Sequence, residues 1–259
     1  MTKFFSKEKA IFNGLDFFSV KSPALGQRAD VCVYKPEGDF CDLPIVILLH
    51  GVYGSHWAWA LNARVHETLT NMVSNKEIPA MLLVMPSDGL FGDGSGYLQH
   101  KKIDYEKWIV EDVIALTKES YRETSSKSPI FIAGLSMGGY GALRLGAKYP
   151  NLFKAFSGLS SVTMYKSLAQ FLEHKEELDQ QVIKPEDVLE ILIQNKESLA
   201  PFRFDCGEND SLFDDNLALH HKLLENQIPH QFHKYAGEHS WEYWKTYIRE
   251  TLLFFGAMI

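Results

Sequence analysis

The chain has 259 residues, with 26 Lys plus Arg against 33 Asp plus Glu and a formal net charge of −7. That balance excludes the basic face on which phosphate-backbone affinity rests, so no nucleic-acid partner is expected. With 46% hydrophobic and 23% charged residues, the composition is that of a globular chain with a sizeable core, not of a disordered or collagen-like one.

The N-terminus is basic but lacks the apolar stretch and small-residue cleavage site of a signal peptide. No apolar run approaches the roughly 18 residues needed to span a bilayer, so no membrane association is expected. Cys32, Cys41 and Cys206 are too few for a disulfide framework and lack the Cys-x-x-Cys spacing of a zinc site. A reducing, cytoplasmic placement with no metal is the expectation.

Half-buried strands are predicted at 16–20 and 30–34, around the turn-prone Ser22-Pro23-Ala24-Leu25-Gly26, so the sheet opens with antiparallel pairing. Residues 45–49 are an unbroken apolar run, as in a central strand buried on both faces, and end at His50-Gly51. A helix is predicted over 59–76, a buried strand over 81–85 stopped by Pro86, and a helix over 105–121. A third central strand, 130–133, runs through Gly134-Leu135-Ser136-Met137-Gly138-Gly139 into a helix reaching Lys148. Strands at 155–159 and 202–206, a helix at 212–226, a strand at 231–235 and a helix from 240 complete the chain. This alternation is the pattern of a mostly parallel α/β sheet with helices on both faces. Residues 162–200 interrupt it with a charged, helix-prone insertion. Its place over a sheet edge suits a lid on a cleft and, equally, a helical pair remote from any site.

Gly134-Leu135-Ser136-Met137-Gly138 matches G-x-S-x-G in the context the motif needs, a buried strand before it and a helix after it. On such a turn the serine hydroxyl projects above the strand ends, and glycines two residues to either side remove colliding Cβ atoms. The run has no G-x-G-x-x-G and no Lys after Gly138, so a nucleotide-phosphate cradle does not fit.

A serine is a weak nucleophile and needs a base held in turn by a carboxylate. Of ten histidines, His239 lies between the last predicted strand and the terminal helix, at the same sheet edge as Ser136. Most others fall on helices or strands; His56 and His100 are loop residues within reach of a substrate. The acid belongs on the turn after 202–206, among Glu208, Asp210, Asp214 and Asp215. Asp210 is selected, because Glu208 sits too early and the other two are carried off on the next helix. The same Asp210 could instead cap that helix. Two backbone donors are then needed for an oxyanion, the Met137 N–H and the Val52 N–H of the loop His50-Gly51-Val52-Tyr53-Gly54. His50 itself reads as a turn-stabilising residue. Tyr53, Trp57, Trp59, Phe91, Tyr97 and Trp241 are loop or loop-edge aromatics, of which Tyr53, Trp57 and Trp241 are the substrate-pocket candidates. Residues 88–97 read as a flexible loop without the features of a calcium or phosphate site.

Leu48-Leu49-His50-Gly51, Gly134 to Leu143, Tyr149-Pro150-Asn151-Leu152-Phe153, Cys206-Gly207-Glu208-Asn209-Asp210 and Gly237-Glu238-His239-Ser240-Trp241 resemble the esterase D-like branch of the α/β-hydrolases. That branch holds S-formylglutathione hydrolases, tributyrin, feruloyl and acetyl-xylan esterases, and mycolyltransferases. The resemblance implies an α/β-hydrolase fold, Ser136, Asp210 and His239 as catalytic residues, and Val52 and Met137 as oxyanion donors. The loop 50–55 is closer to the short-chain acyl esterases than to the cysteine-bearing pattern of S-formylglutathione hydrolases.

The expectation is therefore one catalytic domain over 1–259, a serine carboxylesterase working through an acyl-enzyme on Ser136, with no cofactor and a small ester of acyl, carbohydrate or phenolic type as substrate. A thioesterase of the S-formylglutathione type, an acyltransferase and a non-catalytic binding scaffold are the alternatives. A homo-oligomer is compatible with the sequence.

Overall fold

A computed structural model describes residues 7–259. Strands β1 (Lys7–Phe12), β2 (Leu15–Lys21) and β3 (Arg28–Tyr34) form an antiparallel meander. β3 pairs antiparallel with β5 (Leu82–Pro86), which is flanked on its other side by β4 (Ile45–Leu49). β6 (Ile130–Leu135), β7 (Ala155–Leu159), β8 (Phe202–Gly207) and β9 (Gln231–Tyr235) extend the parallel part. Among the described residues these nine strands make one sheet, ordered β1-β2-β3-β5-β4-β6-β7-β8-β9.

The period-2 alternation of side chains sorts each central strand between two cores. Ile45, Ile47 and Leu49 of β4, with Ile130 and Ile132 of β6, pack on one face. Val46, Leu48, Phe131 and Ala133 pack on the other. The first face is covered by α3 (Tyr105–Lys107), a π-helical turn (Trp108–Val113), α4 (Ile114–Ser120) and α5 (Met137–Lys148). The second is covered by α1 (Ala58–Leu61) and α2 (Val65–Ser74), together with the C-terminal helix, Trp241–Gly256.

Three departures from the predicted elements have local causes. β1 was not predicted, because its exposed, lysine-rich residues show no buried face. The signal lies in the turn: Asn13 and Gly14 both take positive φ, the two-residue hairpin connection that Asn-Gly favours. The single helix predicted over 59–76 is broken where Arg64 adopts a left-handed conformation (φ 50°). The helix predicted over 105–121 contains the π-helical turn, whose Trp108 indole donates to Ser87 O at 2.8 Å.

The insertion 162–200 holds a 3₁₀ turn (Tyr165–Gln170), α6 (Lys175–Gln181) and α7 (Val188–Gln194). Beyond it lie α8 (Phe213–Glu225), on the first face, and the C-terminal helix, α9. A buried ion cluster joins the insertion to α5. Arg144, with none of its surface exposed, donates to Glu106 at 2.5 Å, to Glu186 of the insertion at 2.7 Å and to Tyr97 O. The Tyr140 hydroxyl on the same helix donates to Glu186 O at 2.5 Å.

Removing one partner of such a cluster strands the others in low dielectric. Arg144→Met is therefore expected to lower the unfolding free energy by ~3–5 kcal/mol, read as a drop in urea midpoint at neutral pH. Burial pushes the Glu106 carboxyl up, but Arg144, Tyr149 and Lys148 outweigh it and hold the group below its ordinary value. Its contribution is thus present above the unfolded glutamate value and lost as pH falls through the folded one. Glu106→Gln should flatten that acid limb of stability, measured by urea midpoints between about pH 3 and 6.

Candidate active site

Between the end of β6 and the start of α5 the chain has a single residue, Ser136, and it takes φ 53° and ψ −120°. A non-glycine residue there costs of order 1–3 kcal/mol and persists only where its surroundings hold it. Ser136 N–H donates to Leu159 O at 3.0 Å, and Ser136 O accepts from Tyr140 N–H and Val162 N–H. The close approach of α5 to β4 depends on Gly138, where an added Cβ would lie 2.3 Å from Leu49 O. The Ser136 hydroxyl is thereby fixed at the carboxyl ends of the parallel strands, at the N-terminus of α5.

Asp210 and His239 reach the same place from β8 and β9. The loops after these strands touch backbone to backbone: Glu208 N–H donates to Tyr235 O and Asn209 N–H to Gly237 O. Gly207 permits this, since a Cβ there would meet Gly237 O at 2.5 Å. His239 Nδ1–H donates to the Asp210 carboxylate at 2.9 and 3.0 Å, and His239 Nε2 accepts from the Ser136 hydroxyl at 3.0 Å. The same Asp210 carboxylate accepts the Leu212 N–H at 2.8 Å, a bond within the turn before α8, whose N-cap, Leu212, has no side-chain cap; the capping role open to Asp210 in the sequence is therefore not taken up. Its side chain is fully buried, whereas that of His239 is 19% exposed toward the cleft.

Val52 lines the cleft beside Ser136, and Met137, at the start of α5, is fully buried. Among the described residues, neither the Val52 nor the Met137 N–H is donated to a backbone carbonyl outside the regular elements. The loop carrying Val52 is held by His50. Burial lowers the His50 imidazole below its usual value despite nearby Asp88 and keeps it neutral. Its Nδ1–H donates to Gly51 O at 2.6 Å, and its Nε2 accepts the Asp88 N–H at 3.0 Å, a tautomer assigned from these partners. His50 is thus the turn-stabilising residue expected.

Residues 88–97, expected to be a flexible loop, are cross-linked by hydrogen bonds. The Asp88 carboxylate accepts Leu90 N–H at 2.9 Å and Ser95 N–H at 2.7 Å, and the Ser95 hydroxyl donates to Asp88 O. His56 and His100 also depart from expectation, because neither lines the cleft. His100 is buried, pairs with Ser95 O and packs edge-on against Phe91 and Tyr105; His56 packs edge-on against Phe17.

The cleft over Ser136 and His239 has a volume of about 390 Å³. Tyr53, Trp57 and Trp241 line it as expected. Of the other loop aromatics, Trp59 is buried with its indole on Leu49 O, Tyr97 is buried with its hydroxyl on His50 O, and Phe91 packs outside the cleft. Phe171, Trp244 and Asn62 line it without having been expected. Trp244 had a signal in the sequence: it stands three residues after Trp241 on one helix, hence on the same face. Its ring meets His239 edge-on at 5.0 Å. Phe171 had none, since a residue inside an insertion carries no mark of the strand edge it folds over. Among the described residues, no Lys, Arg, Asp or Glu side chain lines the cleft. Among the described residues, no cluster of three or more His, Cys, Asp or Glu could hold a metal ion. No helix there is long and apolar enough to cross a membrane.

An acetyl esterase of Caldicellulosiruptor saccharolyticus is 27% identical over 234 residues, covering 83% of this chain and 84% of that protein. Among solved structures, a ferulic acid esterase superposes with a TM-score of 0.81 at 22% identity, covering 95% of this chain and 97% of the other. An S-formylglutathione hydrolase of Staphylococcus aureus gives a TM-score of 0.78 at 20% identity, with 96% and 98% covered. These structural likenesses are of the fold, the α/β-hydrolase fold. The family model described as "Putative esterase" matches residues 22–255, nearly the whole chain, and the chain belongs to that family of carboxylic ester hydrolases.

Proposed function

We propose that this chain is a serine esterase for small neutral esters, with residues 1–259 acting as one catalytic unit. The observation that carries this reading is the continuous hydrogen-bonded chain Asp210–His239–Ser136, opening on a cleft with aromatic walls and no charged side chain. In the proposed mechanism His239 Nε2 takes the Ser136 proton as Oγ attacks the ester carbonyl. Asp210 holds the Nδ1–H tautomer and stabilises the imidazolium that forms. The Val52 and Met137 N–H groups are assigned to the oxyanion, each worth on the order of 10²–10³ in turnover. His239 then returns the proton to the departing alcohol, leaving an acyl-Ser136 ester. A water deprotonated by His239 attacks that ester, the acid leaves, and the proton returns to Ser136 Oγ.

The lining supports an oxygen ester over a glutathione thioester. Glutathione carries two carboxylates, and among the described residues the cleft offers no Lys or Arg side chain to pair with them. The net charge of −7 repels such an anion further. An acetyl ester, suggested by the name of the Caldicellulosiruptor relative, fits the cleft's size and neutrality.

In a panel of p-nitrophenyl acetate, p-nitrophenyl butyrate and S-formylglutathione, the oxygen esters are expected to turn over, with a burst of p-nitrophenol, and the thioester to lag by orders of magnitude in kcat/KM. Preference for the thioester would overturn the neutral-ester reading. An organophosphonate should label the wild type on Ser136. Ser136→Ala should abolish both label and burst and lower kcat by ~10⁶-fold. Asp210→Asn, which disturbs the His239 tautomer, should lower kcat by ~10⁴-fold with the label site intact.

A further inference from the structure

The insertion meets the site through Phe171, the residue that ends its 3₁₀ turn. The Phe171 ring stacks on the His239 imidazole with centroids 5.1 Å apart and planes 23° from parallel. The backbone at Phe171 and two residues on is held by the cleft-lining loop of Tyr53 and by the loop of Asp93. The Tyr53 hydroxyl donates to Phe171 O at 2.6 Å, and the Asp93 carboxylate accepts the Glu173 N–H at 2.8 Å. These two holders are themselves joined, because Tyr53 N–H donates to Asp93 O at 3.1 Å. Tyr53 takes a left-handed backbone conformation (φ 58°) and is 62% exposed. A ring so exposed gains little from burial, so its directed contact with the insertion is the hydroxyl bond.

We propose that Phe171 is a specificity-determining residue for the alcohol half of the ester, and that the Tyr53 hydroxyl and the Asp93 carboxylate latch it in place. The side of the cleft follows from the chemistry. His239 must hand its proton to the leaving oxygen, so the alcohol departs beside the imidazole, where the Phe171 ring stands. The acyl group, attached to Ser136 Oγ, lies on the other side of the reacting carbon. Latched, the ring leaves room for a flat or small neutral alcohol and excludes a thick one. The assignment rests on the esterase reading, since it uses His239 as the proton donor to the leaving group.

The test varies the alcohol at constant acyl group, comparing kcat/KM for phenyl acetate and cyclohexyl acetate. A second series varies the acyl chain at constant p-nitrophenol. Phe171→Ala is expected to raise the cyclohexyl-to-phenyl ratio by roughly tenfold or more, as removal of a steric wall does. The acyl-chain preference should move far less. Tyr53→Phe, which removes one oxygen, should shift the alcohol ratio in the same direction by roughly two- to tenfold, the worth of one hydrogen bond. Asp93→Ala, which removes the acceptor of the Glu173 N–H, should act alike. Phe171→Leu reads the same ratio should the alanine variant fail to fold, and organophosphonate labelling of Ser136 scores every variant for an intact site. An alcohol ratio unmoved by both Phe171 variants, or an acyl preference moved as much, overturns the specificity role. A ratio that moves in the Phe171 variants but in neither Tyr53→Phe nor Asp93→Ala overturns the latch. A wild type that takes no label and hydrolyses no ester overturns the esterase reading itself, a result distinct from labelled protein with an unmoved ratio.

Discussion

The architecture of the site depends on one strained residue. Ser136 sits in a backbone conformation that side-chain-bearing residues avoid, and three hydrogen bonds, to Leu159, Tyr140 and Val162, hold it there. Those partners belong to β7, α5 and the start of the insertion, so the turn is clamped from three elements at once. Gly138 is the steric counterpart of the clamp. With a Cβ at that position α5 could not lie against the end of β4, and the turn would have to relax. The cost of the strained turn is thus borne by packing of the central sheet and is not recovered locally.

A second constraint follows from where His239 and Asp210 originate. Neither is near Ser136 in sequence; they meet it because β6, β7, β8 and β9 run parallel and all end at the same edge. Fine adjustment comes from the Gly207–Gly237 backbone contact, which draws the two loops close enough for Asp210 to bond His239. One carboxylate then serves two partners, the His239 Nδ1–H and the Leu212 N–H. The bond to its own turn orients Asp210 before it orients the histidine.

Local patterns made much of this legible. The unbroken apolar runs at 45–49 and 130–133 could only be strands buried on both faces, and the elements that follow them had to cross over with helices. The serine turn, the candidate acid and the candidate base were readable because each follows a strand whose end position is forced by the sheet. What was hidden lies in side-chain contacts and single backbone conformations that no periodicity marks. The order of the loop 88–97 comes from Asp88 folding back on Leu90 and Ser95, and its composition of Gly, Asp and Ser also suits a mobile loop. Helix 59–76 lost its continuity at Arg64, where nothing in the apolar period marks a break. Phe171 stacks on His239 across more than sixty residues of intervening chain, and no periodicity carries such a contact. β1 is the contrary case, since Asn13-Gly14 is a local hairpin signal that its exposed strand obscured.

The insertion is anchored by side chains buried in the core, Leu168, Leu178 and Leu192 among them, and by polar contacts of different strength at two ends. Toward α5, Glu186 is buried against Arg144 and accepts the Tyr140 hydroxyl through its backbone oxygen, a desolvated ionic anchor that costs several kcal/mol to break. Toward the cleft, the holders are single hydrogen bonds from Tyr53 and to Asp93, each worth about 1 kcal/mol net and open to competition from water. The same tyrosine immediately follows Val52, so the loop assigned to the oxyanion and the aromatic wall beside the base are registered against each other through one side chain.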